Sequence, residues 1–198
     1  MKYVKILSLA AVAAMALMAF AASSASATAL YNGATKLTTP STLDFSIPSG
    51  GSALLVDTSG NTLDKCTGST VKGTLEKNEV ALVTGTTTEL TWTGCTFTTK
   101  TLAPGKLTVE WTSGTNGTVK SDAQIEVTIN TVLFGSCIYG VANGTSLGTL
   151  TTFSSGAASF DANAVATRFG TNAACPATSK WTGTYTSTEP VNLRVEEK

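Results

Sequence analysis

Between Cys66 and Cys95 the chain reads Cys-Thr-Gly-Ser-Thr-Val-Lys-Gly-Thr-Leu-Glu, then Val-Ala-Leu-Val-Thr-Gly, then Glu-Leu-Thr-Trp-Thr-Gly-Cys. Three short runs of β-forming residues are separated by turn residues and bounded by a cysteine at each end. This pattern predicts an antiparallel meander closed by a disulfide. Leu90 and Trp92 share a parity that Cys95 and Phe97 do not, so one residue of slip is expected near Gly94, as a β-bulge would supply.

The other two cysteines are Cys137 and Cys175. Four cysteines allow three pairings, and spacing alone does not choose among them. Cys66–Cys95 with Cys137–Cys175 is the pairing expected, because antiparallel strands can bring the first pair together. No Cys-x-x-Cys occurs and the chain has no histidine, so neither a metal nor any other cofactor is expected.

Disulfides belong to an oxidising compartment, and the first 27 residues supply the means of reaching one. Lys2 and Lys5 precede an apolar run from Ile6 to Phe20, and Ala25-Ser26-Ala27 forms a small-x-small cleavage site. Residues 1–27 therefore read as a signal peptide cut before Thr28. Residues 28–198 read as a single secreted β domain, extracellular or at the cell surface, with no membrane span once the leader is gone.

Lysine plus arginine and aspartate plus glutamate each number 13. Losing Lys2 and Lys5 leaves a slight acidic excess with no basic patch, so nucleic acid is not an expected partner. Threonine is the commonest residue. Its branched Cβ suits a pleated surface, and its hydroxyl keeps that surface wet without charge.

After the leader, apolar residues alternate with polar ones in short stretches. Leu43, Phe45 and Ile47 form one such set, and Leu107, Val109 and Trp111 a second. Ala123, Ile125, Val127 and Ile129 form a third, and the second and third sets are expected to pair as a central hairpin. The stretch Thr28–Thr42 reads as a loose opening, 132–134 as a short strand, and Phe160–Phe169 as a strand rather than a helix. About ten to twelve short strands are predicted. The fold class is thus all-β, an antiparallel sandwich of jelly-roll or Greek-key type with a barrel as the alternative.

Without histidine, the Ser-His-Asp and Cys-His arrangements are excluded. Glu89, Glu110 and Glu126 fall on the polar side of their strands, which predicts cross-strand partners rather than paired catalytic acids. No catalytic residue is assigned and no enzyme is expected. The candidate ligand-binding residues are Trp92, Trp111, Trp181 and Tyr185. Exposed and coplanar, they would stack sugars. On the apolar parity, they would pack in a core.

The segments 66–74, 90–95, 110–118 and 134–140 (the last reading Phe-Gly-Ser-Cys-Ile-Tyr-Gly) resemble a group of bacterial exported proteins of unknown function. The likeness spans most of the region after the leader. Its cysteine placement implies the same disulfide pairing, and it implies no activity. The Cys66–Cys95 block is also faintly similar to small secreted proteins described as activators of alkane oxidation. The function expected is that of a non-enzymatic structural or adhesive domain. Its partners would be a second copy or a polymer of the cell envelope or extracellular space. The alternative is a carbohydrate- or hydrophobe-binding module built on the Trp and Tyr rings, and a hydrolase is the weaker one.

Overall fold

The computed structural model describes residues 27–79, 81–132 and 135–198. The expected leader lies outside the described residues. Within them there are 15 β-strands and no helix. The all-β expectation holds, with antiparallel pairing throughout.

Two long hairpins organise the molecule. One joins β5 (Thr62–Lys77) to β6 (Val83–Cys95), and the other joins β13 (Ser159–Phe169) to β14 (Thr178–Glu189). The space between β14 and β5 is shared by two short strands. β3 (Ser41–Ser46) pairs with the 70–75 stretch of β5, and β4 (Ala53–Asp57) with the 62–66 stretch. On its other side β6 continues through β8 (Lys106–Ser113), β9 (Asn116–Ala123) and β12 (Ser146–Thr151) back to β13. The hydrogen-bonded circuit therefore closes on itself, which removes the exposed edges an open sheet would carry.

β13 is long enough to hold a second set of partners. Beyond its contact with β12, it pairs with β11 (Gly135–Val141), then β10 (Ile125–Thr131), then β7 (Thr98–Ala103). β7 returns to β6 through a side chain rather than a ladder. The Thr101 hydroxyl donates to the Leu90 carbonyl at 2.6 Å and accepts the Trp92 indole N–H at 3.1 Å. The four long strands thus run through two stacked halves that share one continuous core.

A small sheet of β15 (Leu193–Glu197), β1 (Thr28–Asn32) and β2 (Thr35–Lys36) covers one side of the first half. Leu30, Leu193 and Val195 are its buried face. Asn78, at the tip of the long β5–β6 hairpin, holds this sheet as a strand would. Its Oδ1 accepts the Leu30 N–H at 2.8 Å, and its Nδ2 donates to the Leu30 and Leu37 carbonyls, each at 2.9 Å.

Both disulfides form as expected, Cys66–Cys95 and Cys137–Cys175. Cys66 and Cys95 are direct cross-strand partners on β5 and β6. Cys137–Cys175 ties β11 to the loop after β13. The pairing fits an oxidising, non-cytoplasmic environment.

Several local expectations are corrected. The Cys66–Cys95 block is one long hairpin, not a three-strand meander. Its strands are 16 and 13 residues long, so glycine and threonine do not break them. The register slips at Lys72/Gly73 and Leu75/Lys77, not at Gly94. Gly73 and Gly85 sit where a Cβ would meet a facing carbonyl oxygen at 3.1 and 3.0 Å. Phe97 departs from the parity of Leu90 because the chain leaves β6 at Cys95 and turns before β7.

The expected hairpin of 106–112 with 123–129 does not form. β8 pairs instead with β9, a strand over Asn116–Ala123, and β10 belongs to the other half. The inward positions of β9 are Gly117, Val119 and Ser121, so burial there shows no apolar alternation to read. Thr28–Asn32 is likewise a strand, not a loose opening, with Thr28 buried beside Ala29 and Leu30. In the stretch 132–134, Val132 is an exposed turn residue after β10, and the rest lies outside the described residues. The strand expected over Phe160–Phe169 is present, with Phe160, Ala162, Ala164 and Ala166 facing in.

Candidate functional site

The aromatic residues singled out in the sequence divide into a connected set and one outlier. Trp181 and Tyr185 lie on the inward parity of β14, and a Cβ on Gly183 between them would meet Ile47 and the Ser52 carbonyl at 3.3 Å. Trp181 packs edge-to-face on Trp92 of β6, with centroids 5.5 Å apart at 69°, and on Tyr185 at 5.8 Å and 86°. Tyr185 contacts Phe160 at 5.9 Å, and Phe160 contacts Phe45 at 6.4 Å. Five rings from β6, β14, β13 and β3 thus run in series through the interior, joining its two halves. Edge-to-face contact sets the positive rim of one ring against the negative face of the next, worth roughly 0.5–1.5 kcal/mol per pair beyond burial.

This is the geometry of core packing rather than of a coplanar platform. Tyr185 is fully buried and Trp181 nearly so. Trp111 stands apart on β8, partly buried, and its indole N–H donates to the Gly114 carbonyl at 2.9 Å. Sequence alternation gave each residue's face, but it carried no signal that Trp92, Trp181 and Tyr185 converge while Trp111 does not.

The Tyr185 hydroxyl donates to Ser69 Oγ at 3.0 Å in the buried interior. Burial pushes this phenol well above its ordinary range, opposed by hydrogen bonding to Ser69 and to the Trp181 indole. The Trp181 N–H itself makes no hydrogen bond of full geometry.

Three cavities follow the interior. In the first half a partly open cavity of about 80 Å³ lies among Leu43, Phe45, Val83, Leu107, Phe160 and Leu193. In the second a partly open one of about 40 Å³ lies beside Trp92, Trp181, Ile129 and Tyr139. The third holds about 160 Å³ and shares Ile129 and Tyr139 with the second. Its other walls include Leu63, Phe97, Cys137 and Pro176. Residues from both disulfide-bonded regions meet there. Tyr139 is 2% exposed, and its hydroxyl has no hydrogen-bond partner. Burial raises its pKa, Arg168 opposes the rise and Asp57 adds to it. Sequence reasoning did not single out Tyr139. The one available signal was its place two residues after Cys137 on an inward parity.

Asp64 is a buried acid at the edge of the second cavity. The Lys65 and Phe97 N–H groups donate to its Oδ1 at 2.9 and 3.1 Å, and the Thr99 hydroxyl donates to its Oδ2. It lies close to the sulfurs of Cys66 and Cys95. Those sulfurs are spent in their disulfide, so the cluster offers one carboxylate and no thiolate to a metal.

Two of the three acids expected to pair across strands do so, and Glu126 instead has a partner close by in its own chain segment. Lys72 bridges Glu89 at 3.1 Å and Lys120 bridges Glu110 at 2.8 Å. Glu126 accepts from the Gln124 amide. Ser179 is buried while neighbouring Lys180 is exposed on the opposite face, so the two do not form a serine–lysine dyad.

No protein family, curated protein or solved structure matches the chain. Among the described residues, no helix is long and apolar enough to cross a membrane.

Proposed function

We propose that the chain is an exported, non-enzymatic structural or adhesive domain of the extracellular space or cell surface. One observation carries this reading: the strand circuit closes around an interior packed by the Phe45–Phe160–Tyr185–Trp181–Trp92 series. The large aromatics are thereby mostly turned inward, and the outer faces carry threonine hydroxyls and cross-strand ion pairs. Such a surface is hydrated and nearly neutral, suited to contact with polymers or with a second copy rather than to chemistry. Two disulfides keep it folded where thiols are not protected.

The test uses the oxidised chain. Light scattering and electron microscopy should show concentration-dependent assembly, or pull-down on whole cells and envelope polymers should show retention. A strictly monomeric particle retained by none of them overturns the reading.

A further inference from the structure

The first half of the molecule is a ring of eight strands, β3, β5, β6, β8, β9, β12, β13 and β14, each paired with the next and the last with the first. A ring of about eight strands has an interior just wide enough for its side chains to fill, or for one small ligand to share. Here the side chains leave a partly open cavity of about 80 Å³. Leu43, Phe45, Val71, Leu107 and Val109 line it, yet each keeps part of its surface within reach of water. Leu75, Val83 and Leu150 also line it and are buried. Apolar surface held against water in a concave site is what an apolar ligand covers.

Size, polarity and charge narrow the ligand. An apolar cavity of about 150 Å³ holds benzene, so 80 Å³ is too narrow to enclose a six-membered ring. It suits the end of a slender chain, with the remainder leaving through the opening. Among the lining threonines only Thr87 is on the inward parity of β6, and its Oγ1 is shut off from solvent. The inward wall therefore selects by shape and apolarity, not by hydrogen bonding. The one charged lining residue is Lys72, whose Nζ pairs with Glu89 at 3.1 Å and lies near the Asp44 carboxylate. An anionic head would have to displace an acid already in place. The ring is also hydrogen-bonded all the way round, so it offers a peptide no free edge to pair with.

We propose that this cavity in the ring of eight strands binds the end of a straight, neutral aliphatic chain. The site is separate from the surface invoked for adhesion and stands or falls independently of it.

The probes are n-butanol, n-pentanol and n-hexanol, with cyclohexanol as the ring of equal carbon number and hexanoate as the anion. Backbone amide NMR of the oxidised chain should show saturable shifts at Val71, Val83, Leu107 and Val109 with the three linear alcohols. Affinity should rise roughly fourfold per added carbon, the equivalent of about 0.8 kcal/mol for each buried methylene. Cyclohexanol should bind more weakly than n-hexanol, and hexanoate no more tightly. Val109→Phe should fill the cavity and abolish the shifts at Val71 and Val83, while the amide spectrum of the second half reports that the fold is kept. Should that variant misfold, the chain-length series on the unaltered chain decides alone. The proposal is overturned if no saturable shifts occur at these residues, if affinity does not depend on chain length, or if cyclohexanol or hexanoate binds more tightly than n-hexanol.

Discussion

The hydroxyl of Tyr185 and the Oγ of Ser69 lie 3.0 Å apart in the buried interior, 116 residues apart in the chain. This contact joins the two long hairpins at the level where the two halves meet. Tyr185→Phe keeps the ring contacts and strands Ser69, so it should cost about 1–3 kcal/mol. Tyr185→Ala should cost about 3–5 kcal/mol by opening a cavity between the Trp181 and Phe160 rings. Denaturant midpoints at constant m-value check both.

The same phenol sets an alkaline limit. Its folded pKa lies above the ordinary value of 10.0, with burial as the main cause, and Tyr139 shifts the same way. A group whose pKa is raised by folding contributes fully below its unfolded pKa and loses that contribution as pH climbs above it. Stability should therefore be insensitive to these groups below about pH 9 and should fall above pH 10. Tyr185→Phe should flatten the decline. An unchanged slope in urea melts between pH 9 and 11 contradicts the assignment.

Asn78 gives a prediction about the covering sheet. Its amide makes three of its bonds with backbone groups of Leu30 and Leu37. Asn78→Ala should cost about 2 kcal/mol. Amide hydrogen exchange should speed up in β1 and β15 before the rest of the chain, because local opening takes the least anchored unit first. Uniform exchange would show that the hairpin tip does not hold this sheet.

Gly148 faces the carbonyl of Asp161 on the paired strand β13. A Cβ there would lie 2.0 Å from that oxygen, at a φ of +149°. Gly148→Ala should cost more than about 3 kcal/mol, since neither strand can move without breaking its ladder. Gly144 also has positive φ, but open space surrounds it, so Gly144→Ala should cost only about 1 kcal/mol. Thermal melts of the pair separate crowding from backbone preference.

The disulfides close loops of 29 and 38 residues. On the loop-entropy relation each stabilises by about 3–4 kcal/mol. Replacing either pair by alanine should lower the midpoint by a similar amount in each case. Loss of only one should also raise protease cleavage near its own loop.

Much of the fold is legible in the sequence because alternation and cysteine placement are local properties. The strand at Phe160–Phe169 is visible because Phe160, Ala162, Ala164 and Ala166 repeat every second residue. β9 is not, because its buried positions are Gly117 and Ser121 as well as Val119, and no period of apolarity marks them. Glu89 and Glu110 could be read as solvent-side acids with lysine partners, since the side of a strand follows from parity alone.

By itself, then, the order of residues determined an all-β chain, the faces of most of its strands and two sulfur bridges. Which strands became neighbours was decided only in three dimensions. β10 leaves β8 for β11 and β7, and Trp92 meets Trp181 while Trp111 does not. Tyr139 ends beside a cavity made from three separate strands and two loops. Pairing depends on how the whole ladder closes and on which long strands have a free side to offer, and a single strand's sequence carries no record of that.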